Sequence, residues 1–317
     1  MDANPADRII GRQIIRYQSV TSTNDIARQL TFSQADEGTV ITAAEQTLGR
    51  GSHGRTWVSP VSVNLLVSVI LRPRVPIQRM PEMAFVASLA VADYLIDCGL
   101  PAKVKWPNDV RVNGKKIAGI LIEAVPGQGV EPAAIVGIGL NINWSDLPTE
   151  IADTTTSVLI ETGQLTDLDD ALNVLLSSLE AVYGDYTRGG FEPILARWRS
   201  LDCLVGTEIA VSCDGETLRG ISEGIDATGA LLVRMPDETF KYIVEEPIWA
   251  DKSRDTLADV MRRIAGALER AISQHSEQWY LFHNLWDIEE DRRLAAIAAF
   301  GPPSAEDAPA RAQRLHE

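Results

Sequence analysis

The chain has 317 residues, 45% hydrophobic and 23% charged, the balance of a globular protein with room for more than one domain. A net charge of −15 argues against loose, salt-driven attachment to nucleic acid, though not against one small basic pocket for an anionic ligand. The longest apolar run, VNLLVSVIL, is far short of the ~18 residues of a membrane span, so no membrane partner is expected.

The opening MDANPADRIIGRQ has no apolar core of a secretory signal. Three scattered cysteines (Cys98, Cys203, Cys213) suit reduced thiols in a cytoplasmic protein, and the histidines show no metal-ligand spacing. IIRYQSV then reads as a strand, and TSTNDIARQLTF as cap residues followed by a short helix. GTVITAAEQ is a second strand, and the glycine-rich TLGRGSHGRTW follows it. SVNLLVSVILRP alternates and is rich in β-branched residues, which predicts a third strand. MPEMAFVASLAVADYLIDCG has near-helical apolar spacing and a closing Gly99, which predicts a helix burying one side. AKVKWPNDVRVNGKKIAGILIEA reads as strand, loop, strand, Asn-Gly turn, strand; AAIVGIGLNIN is one more strand, and residues from about 167 to 199 are helical. Beyond about residue 202, short strands separated by Asp-Gly, Thr-Gly and Pro-Asp turns predict a small β-barrel or sandwich. After about 250, TLADVMRRIAGALERAI gathers Leu257, Val260, Met261, Ile264, Leu268 and Ile272 on one helical face, and GPPSAEDAPARAQRLHE is poor in large apolar residues, as a disordered tail is.

Gly49, Gly51 and Gly54 match G-x-G-x-x-G, but the context of a dinucleotide fold is missing. No helix follows the glycines; RTWVSPVSVNLL leads through a proline into a strand. The catalytic-loop and metal-binding elements of a kinase are missing too. What is left is a glycine loop with Arg50, Arg55 and Trp57: a mobile surface loop, or backbone N–H groups and guanidinium forks for phosphate. KWPNDV is an Asx turn after a strand, or a rigid corner where Asn108 and Asp109 orient Mg²⁺ or phosphate oxygens. The Asn113-Gly114 turn puts Lys115 and Lys116 on opposite faces of the return strand, and periodicity does not say which faces inward. Gly137, Gly139 and Asn141 of VGIGLNIN mark a packed glycine strand or a close backbone approach to a ligand.

In this order, GRGSHGRTW, KWPND, GKKIAGIL and GIGLNIN, with Ser22-Thr23-Asn24, Glu45-Gln46 and GISEGIDATGALLV, resemble the biotin–protein ligases over residues 14 to 245. The resemblance implies an α/β fold: a mixed-sheet catalytic domain akin to class II synthetase cores over 1–200, and an SH3-like β-barrel C-terminal domain over 201–249. A helical extension over 250–300 and a disordered tail over 301–317 complete the expected domains. It implies activation of biotin by ATP to biotinyl-5′-adenylate, then transfer to a lysine of the apo biotin carboxyl carrier protein of acetyl-CoA carboxylase or a similar carboxylase. Biotin is then a substrate, ATP and Mg²⁺ the co-substrate and ion, and no prosthetic group is tightly held.

Carried over by motif, Lys116, Arg50, Arg55 and Asp109 are catalytic, with Asp109 the expected Mg²⁺ ligand. Ser22, Thr23, Asn24, Gln46, Gly49, Arg50, Gly51, Lys116 and Gly119 bind biotin. Arg55, Trp57, Asn108, Lys116 and Asn141 bind the nucleotide. The family usually has a second arginine where Ser52 stands, a glycine at Ser62, and Gly-Glu-Val where this chain has VEEPIW. With about 16 residues before YQSVTSTN, the ligase-only form without an N-terminal DNA-binding domain is expected. A homodimer is an open option. ALERAISQHSEQWYLFHNLW is similar over a short stretch to the end of lauroyl-type acyltransferases, but their His-x-x-x-x-Asp pair is missing. A lipoate–protein ligase and a biotin sensor without turnover are the alternative readings.

Overall fold

In the computed structural model, residues 8–126, 131–213, 216–244 and 248–249 are described. All lie within one compact unit, Met1–Asp251. The expected helical extension and tail, residues 250–317, fall outside the described residues.

The fold is mixed α/β. The first half alternates as its sequence predicts: β1 (Ile14–Val20), α1 (Thr23–Phe32), β2 (Val40–Gln46), β3 (Leu65–Leu71), α2 (Met83–Asp97), β4 (Ala102–Lys105), β5 (Asp109–Val112), β6 (Lys115–Val125) and β7 (Ala133–Leu140). The helices α3 (Thr149–Ala152), α4 (Val158–Thr162), α5 (Leu168–Gly189) and α6 (Phe191–Leu201) follow. Asp167 caps α5 through the N–H groups of Asp169 and Asp170, and Gly190, at φ 71°, breaks the long helical stretch into α5 and α6. Strands β8 (Glu208–Cys213), β9 (Glu216–Ile225), β10 (Leu231–Arg234) and β11 (Phe240–Ile243) form a four-stranded antiparallel sheet in the order β11-β10-β9-β8.

The large sheet runs β1-β2-β3-β7-β6-β5-β4, and β12 (Ile248–Trp249) pairs in parallel with the far end of β6. Its core face is covered by α2, which α5 and α6 back in turn. Contrary to the one-sided helix that its spacing suggests, α2 is buried almost all round, from Met83 to Ala92 and again at Tyr94 and Leu95. The cause is a double contact, with the sheet on one side and α5 and α6 on the other. Likewise β3 does not alternate between core and solvent. All seven residues are buried, because α1 and a small cluster around Ala27, Ile41 and Ile70 cover its second face.

That second face opens into a cleft beside the N-terminus of α1. The hairpin between β5 and β6 turns at Asn113 and Gly114, both at positive φ (50° and 81°), as an Asn-Gly turn does. Past the turn the pairing slips. Asp109 pairs with Gly119 and Val110 with Ala118, but Arg111 pairs with Lys116, so Ile117 is an extra residue. Strict alternation would put Lys116 and Gly119 on opposite faces. The bulge puts both on the open face and lets Ile117 and Ala118 both enter the core.

Candidate active site

The open face forms a cleft lined by the start of α1, the end of β2, the glycine-rich segment, and the glycine-bearing middles of β6 and β7. Ser22, Thr23, Asn24, Gln46, Arg50, Gly51, Arg55, Trp57, Asn108, Lys116 and Gly119 all line it. Gly49, Asp109 and Asn141 are not among the lining residues. Asp109 is nonetheless tied to the cleft through Lys116. Asn141 lies behind the bulge, where its Nδ2 donates to the Thr156 carbonyl at 3.0 Å and its N–H to the Ile117 carbonyl at 2.9 Å. It supports the strand that carries Lys116.

At the α1 end the polar groups are pre-set. Gln46 Oε1 accepts from the Thr23 N–H at 2.8 Å and the Thr23 hydroxyl at 3.1 Å. The Ser68 hydroxyl lies 2.6 Å from Asn24 Oδ1 and 2.7 Å from the Thr23 hydroxyl. Ser22 is the N-cap residue of α1, but its hydroxyl makes no capping bond, which leaves it for a ligand. Gly137 is required beneath this group, since a Cβ there would collide with the Asn24 carboxamide.

The glycine-rich segment is neither an open loop nor a dinucleotide turn. It is a short hairpin. Trp57 N–H donates to the Gly49 carbonyl at 2.9 Å, Gly51 N–H to the Arg55 carbonyl at 2.7 Å, and a single 3₁₀ turn over Ser52–Gly54 makes the tip. Arg55 folds back on that tip, with Nη2 donating to the Ser52 hydroxyl at 2.8 Å and Nε to the Ser52 carbonyl at 3.1 Å. Arg50 is anchored to the sheet. Its Nη2 is 2.5 Å from Glu123 and 2.9 Å from Asp25, and Asn24 Nδ2 donates to the same Glu123 oxygen at 2.9 Å. Glu123 is 1% exposed. Sequence reasoning missed both Glu123 and Asp25. A signal for Glu123 was present in its alternation with Gly119 and Leu121 along β6, which puts it on the cleft face.

Trp57 lies flat over the glycines. A Cβ at Gly139 would collide with its indole, and one at Gly119 would come within 2.9 Å of the ring edge. The two glycines are directly paired across β6 and β7. The indole Nε1–H is buried and has no acceptor among the described residues, so a donor is left for a ligand. Lys116 Nζ sits 5.5 Å from the centre of the indole and 2.5 Å from Asp109 Oδ1. Lys115, as the opposite face requires, points away and donates to the Ala152 carbonyl at 2.9 Å. Asn108 locks the corner before β5: its Nδ2 donates to the Ile120 carbonyl at 2.6 Å and its own carbonyl accepts from the Ile120 N–H. Neither Cys98 nor Cys203 lines the cleft, and burial pushes both thiols up, away from a thiolate nucleophile.

Such an arrangement suits an anionic ligand: one lysine between a carboxylate and a ring, a hairpin that brings two arginines to the cleft, and glycines that admit a flat molecule. Residues 16–143 match the Biotin/lipoate A/B protein ligase family. The chain is 35% identical over 228 residues to the bifunctional ligase/repressor BirA of Bacillus subtilis, covering 71% of this chain and 70% of that one. It belongs to that ligase family. A biotin–[acetyl-CoA-carboxylase] ligase of Paracoccus denitrificans is 36% identical, over 68% of this chain and 91% of its own. Among solved structures, the biotin protein ligase of Aquifex aeolicus in complex with biotin and ATP superposes with a TM-score of 0.65 at 27% identity, covering 74% of this chain and 97% of that one. In this ligase the cleft lies within the matched segment. The four-stranded sheet lies beyond residue 143, outside it.

Proposed function

We propose that this ligase activates biotin with ATP and passes it to a lysine of a biotin carboxyl carrier domain. A biotin carboxylate oxygen attacks the α-phosphorus, the bond to the β-phosphate bridge oxygen breaks, and pyrophosphate leaves. The acceptor lysine amine then attacks the acyl carbon of the adenylate, the C–O bond breaks, AMP leaves and the amine loses a proton. Both steps need charge neutralisation and exclusion of water more than covalent help from the protein. The observation that carries the reading is Lys116, held in the cleft between Asp109 and the face of Trp57.

Each residue has a part in that chemistry. Ser22, Thr23, Asn24 and Gln46 present pre-aligned polar groups to the biotin head. Trp57, over Gly119 and Gly139, supplies a face and an N–H for the nucleotide side. Lys116 faces the α-phosphate and the carboxylate that attacks it. Arg55 adds charge from the hairpin tip. Arg50, with two carboxylates on it, holds the hairpin to the sheet. Ser52, at the tip, receives Arg55. Among the described residues no group of three His, Cys, Asp or Glu side chains could hold a metal. That fits a Mg²⁺ carried mainly by phosphates and water, with Asp109 offering one carboxylate; bound there, the ion neutralises phosphate charge. In this reading residues 1–200 are the catalytic domain and 201–249 the SH3-like domain, and the protein acts in the cytoplasm without DNA.

The test is to incubate the intact protein with ATP, Mg²⁺ and either biotin or lipoate, with an apo carrier domain and a lysine-rich bystander, and to read masses. Biotin on the carrier, and lipoate on neither protein, is expected. Lipoylation without biotinylation would replace this reading with the other branch of the family.

A further inference from the structure

Across the open face of the large sheet, the register aligns one residue from each of five strands: Leu66, Gly139, Gly119, Asp109 and Lys105. Trp57 covers the two glycines, and Lys116 Nζ pairs with Asp109. Lys105, on β4, is therefore the next position outward, roughly one strand spacing (~4.8 Å) beyond Asp109 in backbone terms.

The Lys105 side chain makes no hydrogen bond and no ion pair within the described residues, and it is half-buried. Burial draws its pKa below the usual lysine range; Asp109 opposes that, while Arg111 and Lys116 add to it. Arg111 spends one Nη on the Gly114 carbonyl at 2.9 Å, and its buried Nε has no partner among the described residues. Lys105, Arg111 and Lys116 thus lie close enough to act on one another, with Asp109 paired to Lys116, in a chain whose net charge is −15. A protein that gathers like charges at a half-buried spot has a site for an anion there. The row also runs outward from Lys116, away from the α1 end.

We propose that Lys105, with Arg111 beside it, binds the β- and γ-phosphates of the nucleotide and holds the pyrophosphate as it leaves. The inference rests on the adenylating reading above. When the α-phosphorus bond breaks, the electron pair goes to the bridging oxygen of pyrophosphate. Lys105 stabilises that charge without taking part in any covalent step. It belongs to the first half-reaction and not to the second.

The two half-reactions can be read separately on the full-length protein. Lys105→Met and Lys105→Arg would be compared with the native chain in biotin-dependent exchange of labelled pyrophosphate into ATP, and in transfer from synthetic biotinyl-5′-adenylate to a carrier domain. Melting curves would confirm folding. Lys105→Met is expected to raise the KM for pyrophosphate by about tenfold or more, as loss of one charge-assisted contact does, and to leave transfer from the synthetic adenylate within about twofold. Lys105→Arg is expected to recover most of the exchange. An unchanged KM for pyrophosphate would overturn the proposal. So would an equal slowing of both half-reactions, which would place Lys105 on the acceptor's path. If the native chain showed neither exchange nor transfer, the ligase reading itself would fall, and this inference with it.

Discussion

A methyl group at Gly139 would collide with the indole of Trp57, so this one position couples the sheet to the proposed nucleotide side of the cleft. Forcing a carbon into a packed contact costs about 1–3 kcal/mol, and here the ring is the part that can move. Gly139→Ala is thus expected to leave melting within a few degrees and to raise the KM for ATP about tenfold, with the KM for biotin changed far less. Steady-state kinetics with each substrate varied in turn would check this; equal effects on both would remove the assignment of Trp57 to the nucleotide side. Lys116 shows what could be read at this scale and what could not. The Lys-Lys pair after an Asn-Gly turn was visible, and so was the need for one of the two to face inward. Which one does so depends on an extra residue at Ile117, and a bulge of one residue leaves no mark in the alternation around it. Glu123 was hidden for a different reason. Alternation along β6 gives its face, but its role shows only when Arg50 and Asn24, 73 and 99 residues away, are seen to converge on it.

In the proposed reaction, the hairpin over Gly49–Trp57 is the element that would retain the reactive intermediate. Backbone pairing closes it, but Arg50 anchors it to Glu123 on β6 and to Asp25 on α1. Glu123 is nearly inaccessible, and stripping a buried carboxylate of its cation would cost about 3–5 kcal/mol, so the anchor is stronger than a surface ion pair. Glu123→Gln weakens the anchor and leaves no stranded charge. Amide hydrogen exchange across residues 50–56 is expected to rise by about tenfold, and more adenylate to escape to solvent when ATP and biotin are supplied. Unchanged exchange would mean that backbone pairing alone closes the hairpin. The glycines and arginines of this element were plain in the sequence. Its hairpin shape was not, because it rests on contacts such as Gly49 to Trp57 that no propensity encodes. The same holds for α2 and β3, whose second faces are covered by elements distant in the chain.

Over the whole molecule, the order of strands and helices up to residue 143 followed from periodicity and turn residues, and the mixed α/β class with it. The sheet order, with β7 between β3 and β6, did not, since it is fixed by the burial of both sheet faces and not by any local signal. The distribution of charge gives this order a purpose. A chain of net charge −15 keeps Lys116, Arg50 and Arg55 on one cleft, with Lys105 and Arg111 next to Lys116, which favours the approach of anionic substrates there. The central claim is that this cleft makes an adenylate at Lys116. Exchange of labelled pyrophosphate into ATP by the full-length protein, with and without biotin, tests it most directly when Lys116→Ala and Lys115→Ala are run beside the native chain. The account predicts exchange that requires biotin, falls by about a hundredfold or more in Lys116→Ala, and stays within a few-fold in Lys115→Ala. Equal exchange by all three proteins, or exchange that ignores biotin, would contradict it.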